Sequence, residues 1–135
     1  MLTDRAGLPL VTGVSGAHTH DSQGLKPLVM GIPAILGPHG RRRRRPRKLH
    51  GDKAYDAGHL RAWLRARGIT PRIARTGRDT GTRLGRHRWA VERTLSWLTG
   101  YRRLNRRYER HGTLFAAFLS LAATLTCWKR LTKTT

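Results

Sequence analysis

The sequence predicts an α/β fold. Apolar, β-rich stretches alternate with segments of helical period, in the order strand, helix, strand, helix, strand, helix. Gly- and Pro-rich punctuation separates them, and no internal repeat interrupts the order. At 135 residues the chain has the size of one domain, and its 38% hydrophobic content suffices for a modest core.

Each element has a local reason. Residues 8–15 (LPLVTGVS) are apolar and β-rich, as a buried strand requires, and the turn-like DRAG at 4–7 implies an earlier strand ending near Met1. Asp21 is placed to N-cap a short helix through SQGLKPLVMGI. Pro33, Gly37, Pro38 and Gly40 then mark a loop, which the run Arg41–Arg45, Pro46, Arg47 and Lys48 prolongs into a basic loop over 37–48. Residues 48–52 read as a second strand. Asp56 is placed to cap a helix over 57–67, with Leu60, Trp63 and Leu64 as its apolar face and Gly68 as its stop. Residues 69–74 (ITPRIA) form a third strand in which Pro71 implies an edge or a break. A Gly/Arg/Thr loop covers 75–85, with Asp79 in a turn beside arginine. A helix over 86–99 follows, then GYRRLNRRYER, then an apolar helix at about 113–130 that is expected to be buried and to close the domain. Within it the stretch 114–125 is too short to span a bilayer and contains Ser120 and Thr124.

The formal net charge is +21, from 28 Lys+Arg against 7 Asp+Glu. Residues 1–40 are neutral on balance, whereas 41–110 carry 23 bases and five acids. The excess therefore lies mid-chain, as a binding surface would, and arginine dominates it, which suits bidentate phosphate contacts. Nucleic acid is the expected partner, because neutralising phosphates releases counterions. A membrane surface fits less well, since no broad apolar face opposes a Lys/Arg face. One cysteine, Cys127, excludes an internal disulfide, and the N-terminus lacks the layout of a signal peptide, so a cytoplasmic protein is expected.

So few acids can be sorted one by one. Asp4 and Asp79 are explained by turns, Asp21 and Asp56 by caps, and Glu109, between arginines, by a surface ion pair. Asp52 resists, because it ends a strand after His50 and Gly51, where open α/β sheets gather ligands and where glycine would admit a backbone or phosphate. Its bland alternative is to start the next turn, paired with Lys53. Glu92 lies in RHRWAVERTLSWL, on a helix side shared by Arg88, Trp89, Leu95, Ser96 and Thr99, at the margin of the core; its bland alternative is an i,i+4 pair with Arg88. Together the two carboxylates could hold a hard divalent cation such as Mg²⁺, although a two-metal site normally needs about three.

Other chemistry finds less support. His18 and His20 are close, but no zinc spacing accompanies them, and no nucleophile elbow, P-loop or dinucleotide fingerprint is present. Trp63, Trp89, Trp97 and Trp128 fall on helical patterns and are expected in the core. The run RRRRRPRK at 41–48 is either a solvated loop or a phosphate-contacting arm, and the 15 further bases that follow by residue 107 favour the arm.

Three segments carry a family resemblance: GLPLVTGVSGAHTHDSQGLKPLV, KLHGDKAYD and RHRWAVERTLSWLTGYRRLNRRYER. They resemble the C-terminal half of the catalytic domain in DDE-type insertion-sequence transposases of the insertion-sequence-4/5 superfamily. The resemblance covers nearly all of the chain. It implies a ribonuclease-H-like mixed sheet with flanking helices, Asp52 as the second catalytic and metal-binding carboxylate and Glu92 as the third. It also implies Mg²⁺ or Mn²⁺ as cofactor, double-stranded DNA at element ends and target as substrate, a homo-oligomer when active, and a cytoplasmic, nucleoid-associated location away from membrane. Arg41, Arg42, Arg43, Arg44, Arg45, Arg47, Lys48, Lys53, Arg88, Arg93, Arg102 and Arg103 become the expected DNA contacts.

Two departures shape the expectation. In the family's Tyr-x2-Arg-x3-Glu-x6-Lys pattern, Arg88 and Glu92 are kept, while Gly85 and Thr99 stand at the Tyr and Lys positions, leaving Arg102 or Arg103 to supply the missing contact. The first catalytic Asp belongs on a strand upstream of Leu8 that this chain lacks, so an upstream-frame segment is expected to provide it. The resulting expectation is a metal-dependent strand-cleavage and strand-transfer fragment, weak or inactive alone. The alternatives are a non-catalytic DNA-binding regulator derived from such an enzyme, or a related Mg²⁺ nuclease.

Overall fold

A computed structural model describes the backbone of residues 1–37, 39–77, 82–106 and 108–133, and the side chains of all of these but 82–86. The turn expected at Asp79 and the place of Pro38 in its loop lie outside the described residues. The fold is α/β, with two compact units, one formed by 1–17 with 87–135 and the other by 18–86. Among the described residues the strands pair two by two, in three sheets, where one mixed sheet is expected from the resemblance.

In the first unit, β1 (Leu2–Thr3) and β2 (Pro9–Val11) form an antiparallel hairpin, so the strand expected over 8–15 is shorter than its composition suggests. Asp4 makes the turn between them: its Oδ1 accepts the amide N–H of Ala6 at 2.8 Å and of Leu8 at 2.7 Å. Gly7 follows at φ +86, and a Cβ there would lie 2.9 Å from the Ala90 carbonyl oxygen of α3 (Thr82–Thr99). The Thr94 hydroxyl, fully buried, donates to the Gly7 carbonyl.

Among the described residues of α3 the buried ones are Ala90, Thr94 and Leu98, spaced by one helical turn each. This corrects the expected face: Trp89 and Leu95 are exposed. Small side chains let the helix sit close to the hairpin turn, and the large ones are left outside. Leu98 packs with Ala122 and Ala123 of α5 (Gly112–Thr132), and Met1, Tyr101, Leu104 and Leu119 close around them. The short α4 (Arg102–Asn105) lies against α5. The Cys127 thiol reaches the Pro9 carbonyl, tying α5 to β2.

The expected burial of α5 is also corrected. Only 17% of its most apolar window is buried, and by length and composition this 21-residue helix suffices to cross a membrane. The shorter stretch read from sequence stopped at polar residues. In the helix, Thr124, Thr126 and Thr132 return their hydroxyls to the carbonyls of Ser120, Ala122 and Trp128, which hides that polarity and lets the element continue.

The second unit is built on β5 (Lys48–Gly51) and β6 (Thr70–Ile73), a parallel pair joined through a 3₁₀ turn (Lys53–Tyr55) and α2 (Gly58–Ala66). Leu60 and Leu64 of α2 pack with Leu49, Ile69 and Ile73 in the buried core, to which α1 (Asp21–Met30) adds Leu25 and Val29. His20, and not Asp21, caps α1: its Nδ1 accepts the Ser22 N–H at 3.2 Å. Asp56 likewise does not cap α2, whose N-cap position is Ala57 and makes no side-chain bond. Its Oδ1 takes Nε and Nη2 of Arg61 at 2.9 and 2.6 Å, and its Oδ2 takes the Thr76 N–H at 2.9 Å. Arg61 also donates to the Ile73 carbonyl. One carboxylate thus latches the start of α2 to the end of β6.

That latch predicts a pH dependence. The Thr76 amide, and after it the Arg61 guanidinium, hold the Asp56 carboxyl below the ordinary carboxylate value. Its contribution is therefore complete above the unfolded-state value near ~3.9 and is lost as pH falls through the lower folded-state value. Asp56→Asn, which keeps the shape and removes the charge, is expected to lower the urea midpoint at pH 7. The gap from wild type should close below about pH 4; a gap constant down to pH 2 would refute the latch.

The basic loop is more ordered than expected. Ile35 and Leu36 (β3) pair antiparallel with Arg43 and Arg42 (β4), and Gly37 donates to the Arg41 carbonyl at 2.9 Å. Gly40, at φ +71, makes the bend.

Candidate active site and nucleic-acid interface

Asp52 stands directly outside the carboxyl end of the parallel β5–β6 pair, as the α/β rule for ligand sites expects. It caps the 3₁₀ turn, with extended backbone at φ −81 and ψ 174 and Oδ1 accepting the Ala54 N–H at 2.7 Å. That bond fixes the carboxylate in an exposed position. Turn-starting and ligand-holding are therefore compatible roles for one side chain, one oxygen serving each. Lys53 beside it is also exposed.

Gly51 faces Tyr55 and Ile73: an added Cβ would sit 3.4 Å from Ile73 Cγ1 and 3.6 Å from the Tyr55 ring, in ordinary contact. These contacts alone therefore do not require glycine at this position. Burial raises the Tyr55 hydroxyl above its ordinary value, and the negative charges of Asp21 and Asp52 raise it further. Asp21, set aside from sequence as a cap, therefore shares an electrostatic neighbourhood with Asp52. Its place in the first turn of α1, against the 3₁₀ turn, was not readable from spacing. Among the described residues no group of three or more His, Cys, Asp or Glu side chains is placed to hold a metal ion.

Glu92 belongs to the other unit, on the exposed side of α3. Arg88 Nε lies 3.5 Å from its Oε1, with the two side chains 74% and 65% exposed. Such a pair contributes little, about 0.3–0.5 kcal/mol, and opens readily to another partner. The Arg93 guanidinium lies 4.3 Å from the Trp89 ring centre and 5.8 Å from that of Trp97, which Arg130 approaches at 4.1 Å. Arg67 stacks on Trp63 at 3.9 Å. These tryptophans, expected as core, are covered by guanidinium planes, and Trp128 is 69% exposed.

The basic run is presented outward. Arg41–Arg45, Arg47 and Lys48 are all exposed, and Arg42–Arg45 with Arg47 line an open depression of about 490 Å³. Arg102 is exposed. Arg103 is engaged, 3.4 Å from Glu109 and 4.4 Å from the Phe118 ring centre. Glu109 is not the surface ion-pair partner expected: its side chain is 7% exposed, and its Oε2 is buried without a hydrogen-bond partner among the described residues.

The family model described as "Transposase DDE domain" matches residues 1–127. The chain is also 43% identical over 131 residues to "Putative transposase for insertion sequence element IS402" from Burkholderia cepacia. That match takes in 97% of this chain and 62% of the relative's own length. No solved structure matches the chain. Proteins of this family generally use a divalent metal and act on DNA. With its strand-end aspartate and its arginine-rich surface, the chain belongs to the DDE-domain transposase family.

Proposed function

We propose that this chain is part of the catalytic domain of a DNA transposase with ribonuclease-H-like architecture, in which Asp52 and Glu92 are metal-binding carboxylates. The observation that supports this most directly is the exposed Asp52 carboxylate, pinned by Ala54 N–H at the carboxyl end of a parallel strand pair. The reaction is phosphodiester chemistry at the element's end in the bacterial cytoplasm, at the nucleoid. Water attacks phosphorus and the P–O3′ bond breaks, leaving a 5′-phosphate and a free 3′-OH; that 3′-OH then attacks a target phosphodiester in line, and the target strand's own 3′ oxygen departs.

Asp52 and Glu92 fit a hard divalent cation in chemistry: both are exposed, acceptor-only carboxylates. They do not complete a two-metal set, and the first Asp of the set would come from a segment outside this chain. When bound, Mg²⁺ or Mn²⁺ supplies Lewis-acid stabilisation of the charge that develops on the phosphate. The chain's own part is positioning. The hydrogen bond from Ala54 orients Asp52, Arg88 releases Glu92 at little cost, and the exposed arginines neutralise the DNA backbone. The active form is a homo-oligomer on double-stranded DNA.

The test compares this chain with the same chain joined to the IS402 relative's unmatched residues in that relative's own order, on terminal-repeat DNA with Mg²⁺. The chain alone should give weak or no strand transfer, and the extended chain should cut. In the extended chain, Asp52→Asn or Glu92→Gln should each lower cleavage about 100-fold or more, with DNA affinity held within about twofold. Full cleavage in either variant would refute the assignment. The second reading, a DNA-binding regulator without catalysis, draws on the lack of a three-ligand group among the described residues. It expects no cleavage in any of these forms.

A further inference from the structure

We propose that the apolar groove between α4 and α5 is the docking site for polypeptide corresponding to the part of the IS402 relative that this chain does not match. This rests on the reading of the chain as part of a larger transposase. Tyr101, Leu104, Phe118, Leu121 and Leu125 line a groove of about 280 Å³ together with Arg102 and Arg103, the latter lying over the Phe118 ring. Leu121 is 54% exposed and Leu125 39%, and the same stripe extends to exposed Leu114 and Trp128. The series Leu114, Phe118, Leu121, Leu125, Trp128 steps by four, three, four and three. That is the seam an α-helix presents to another apolar element lying along it. A contiguous exposed apolar stripe of this kind marks an interaction surface.

Three observations select the occupant. The chain spans 62% of the IS402 relative, which leaves that protein about 80 residues with no counterpart here. Met1 packs on the Leu98–Ala122–Ala123 cluster, so apolar packing on this part of α5 already recruits a side chain from a distant part of the sequence. Charge disfavours a second copy: α4 and α5 contain no acid, Arg102, Lys129 and Arg130 flank the stripe, and each copy carries +21. A segment with apolar residues and acidic flanks is complementary to this surface.

The relative's unmatched segment, expressed as a separate polypeptide, is the probe. Mixed with the full chain without DNA or metal, it should form a one-to-one complex by sedimentation velocity, the chain alone remaining monomeric. Leu121→Asp with Leu125→Asp should weaken the complex about 100-fold or more, because two apolar side chains lose their burial. Both positions are exposed, so the variant should keep its far-ultraviolet circular dichroism, and Leu36→Asp, on exposed β3, should bind as wild type. Absence of a complex, or one indifferent to the groove substitutions, overturns the proposal. So does a dimer of the chain alone, or binding to phosphatidylglycerol vesicles, that the same substitutions abolish. DNA binding is read separately, so failure here leaves the transposase reading standing.

Discussion

Replacing Arg41, Arg42, Arg43, Arg44, Arg45 and Arg47 by serine is expected to weaken binding to a 30-base-pair duplex about 100- to 1000-fold at 0.15 M salt. The slope of log affinity against log salt should fall by about five, since each phosphate contact contributes roughly 0.9 to it. These six side chains are exposed, and the β3–β4 hairpin holds the first of them in place. An ordered run loses less freedom on binding than a flexible tail, so more of its electrostatic gain reaches the affinity. A merely solvating loop predicts something else. Removing six exposed bases elsewhere (Arg5, Arg65, Arg72, Arg106, Arg110 and Lys133) would then cost as much. If the two sets of variants show the same salt slope, the hairpin is not the DNA-contacting arm. Fluorescence anisotropy across 50–300 mM salt separates the cases.

What could be read from the sequence was what local pattern alone determines. The helix after the strand at 48–51 was legible because Leu60 and Leu64 stand at helical spacing, and both are buried. Asp52 was legible because aspartate is depleted from strands, so an acid at a strand end stands out. The faces of α3 were not. Trp89 and Leu95 look like core anchors, yet the hairpin turn lies close against Ala90 and Thr94, Leu98 packs on α5, and arginine planes cover Trp89 and Trp97 instead. In so arginine-rich a chain, a large aromatic need not be buried to leave water. β3 was invisible because two residues followed by glycine carry no period. Asp56 and Asp21 fitted the capping pattern, but Asp56 found stronger partners in Arg61 and the Thr76 amide, and His20 took the cap of α1. The burial of α5 depends on what lies against it, and composition does not state that.

Gly7→Ala should destabilise the first unit by about 2–4 kcal/mol, a large share of what a small domain has. Two costs combine. The residue sits at φ +86, where any Cβ is strained, and that Cβ would lie 2.9 Å from the Ala90 carbonyl oxygen, an approach real side chains essentially never make. The neighbour is helix backbone, which cannot swing aside as a flexible side chain would. Relief requires the hairpin turn to lift from α3, which breaks the bond from Thr94 to the Gly7 carbonyl and leaves a buried carbonyl short of its donor. Thr94→Val removes the same bond from the other side. The two substitutions share one interaction, so the double variant should lose less than the sum of the singles. Trp89, Trp97 and Trp128 report on this unit, so urea unfolding followed by tryptophan fluorescence reads the cycle. The contact also concerns the candidate site, because Ala90 and Thr94 bracket Glu92 on α3. A hairpin that fits only glycine at this point holds the helix bearing that carboxylate in one register. Strict additivity, or a Gly7→Ala effect below about 0.5 kcal/mol, would mean that the turn does not hold α3 in place.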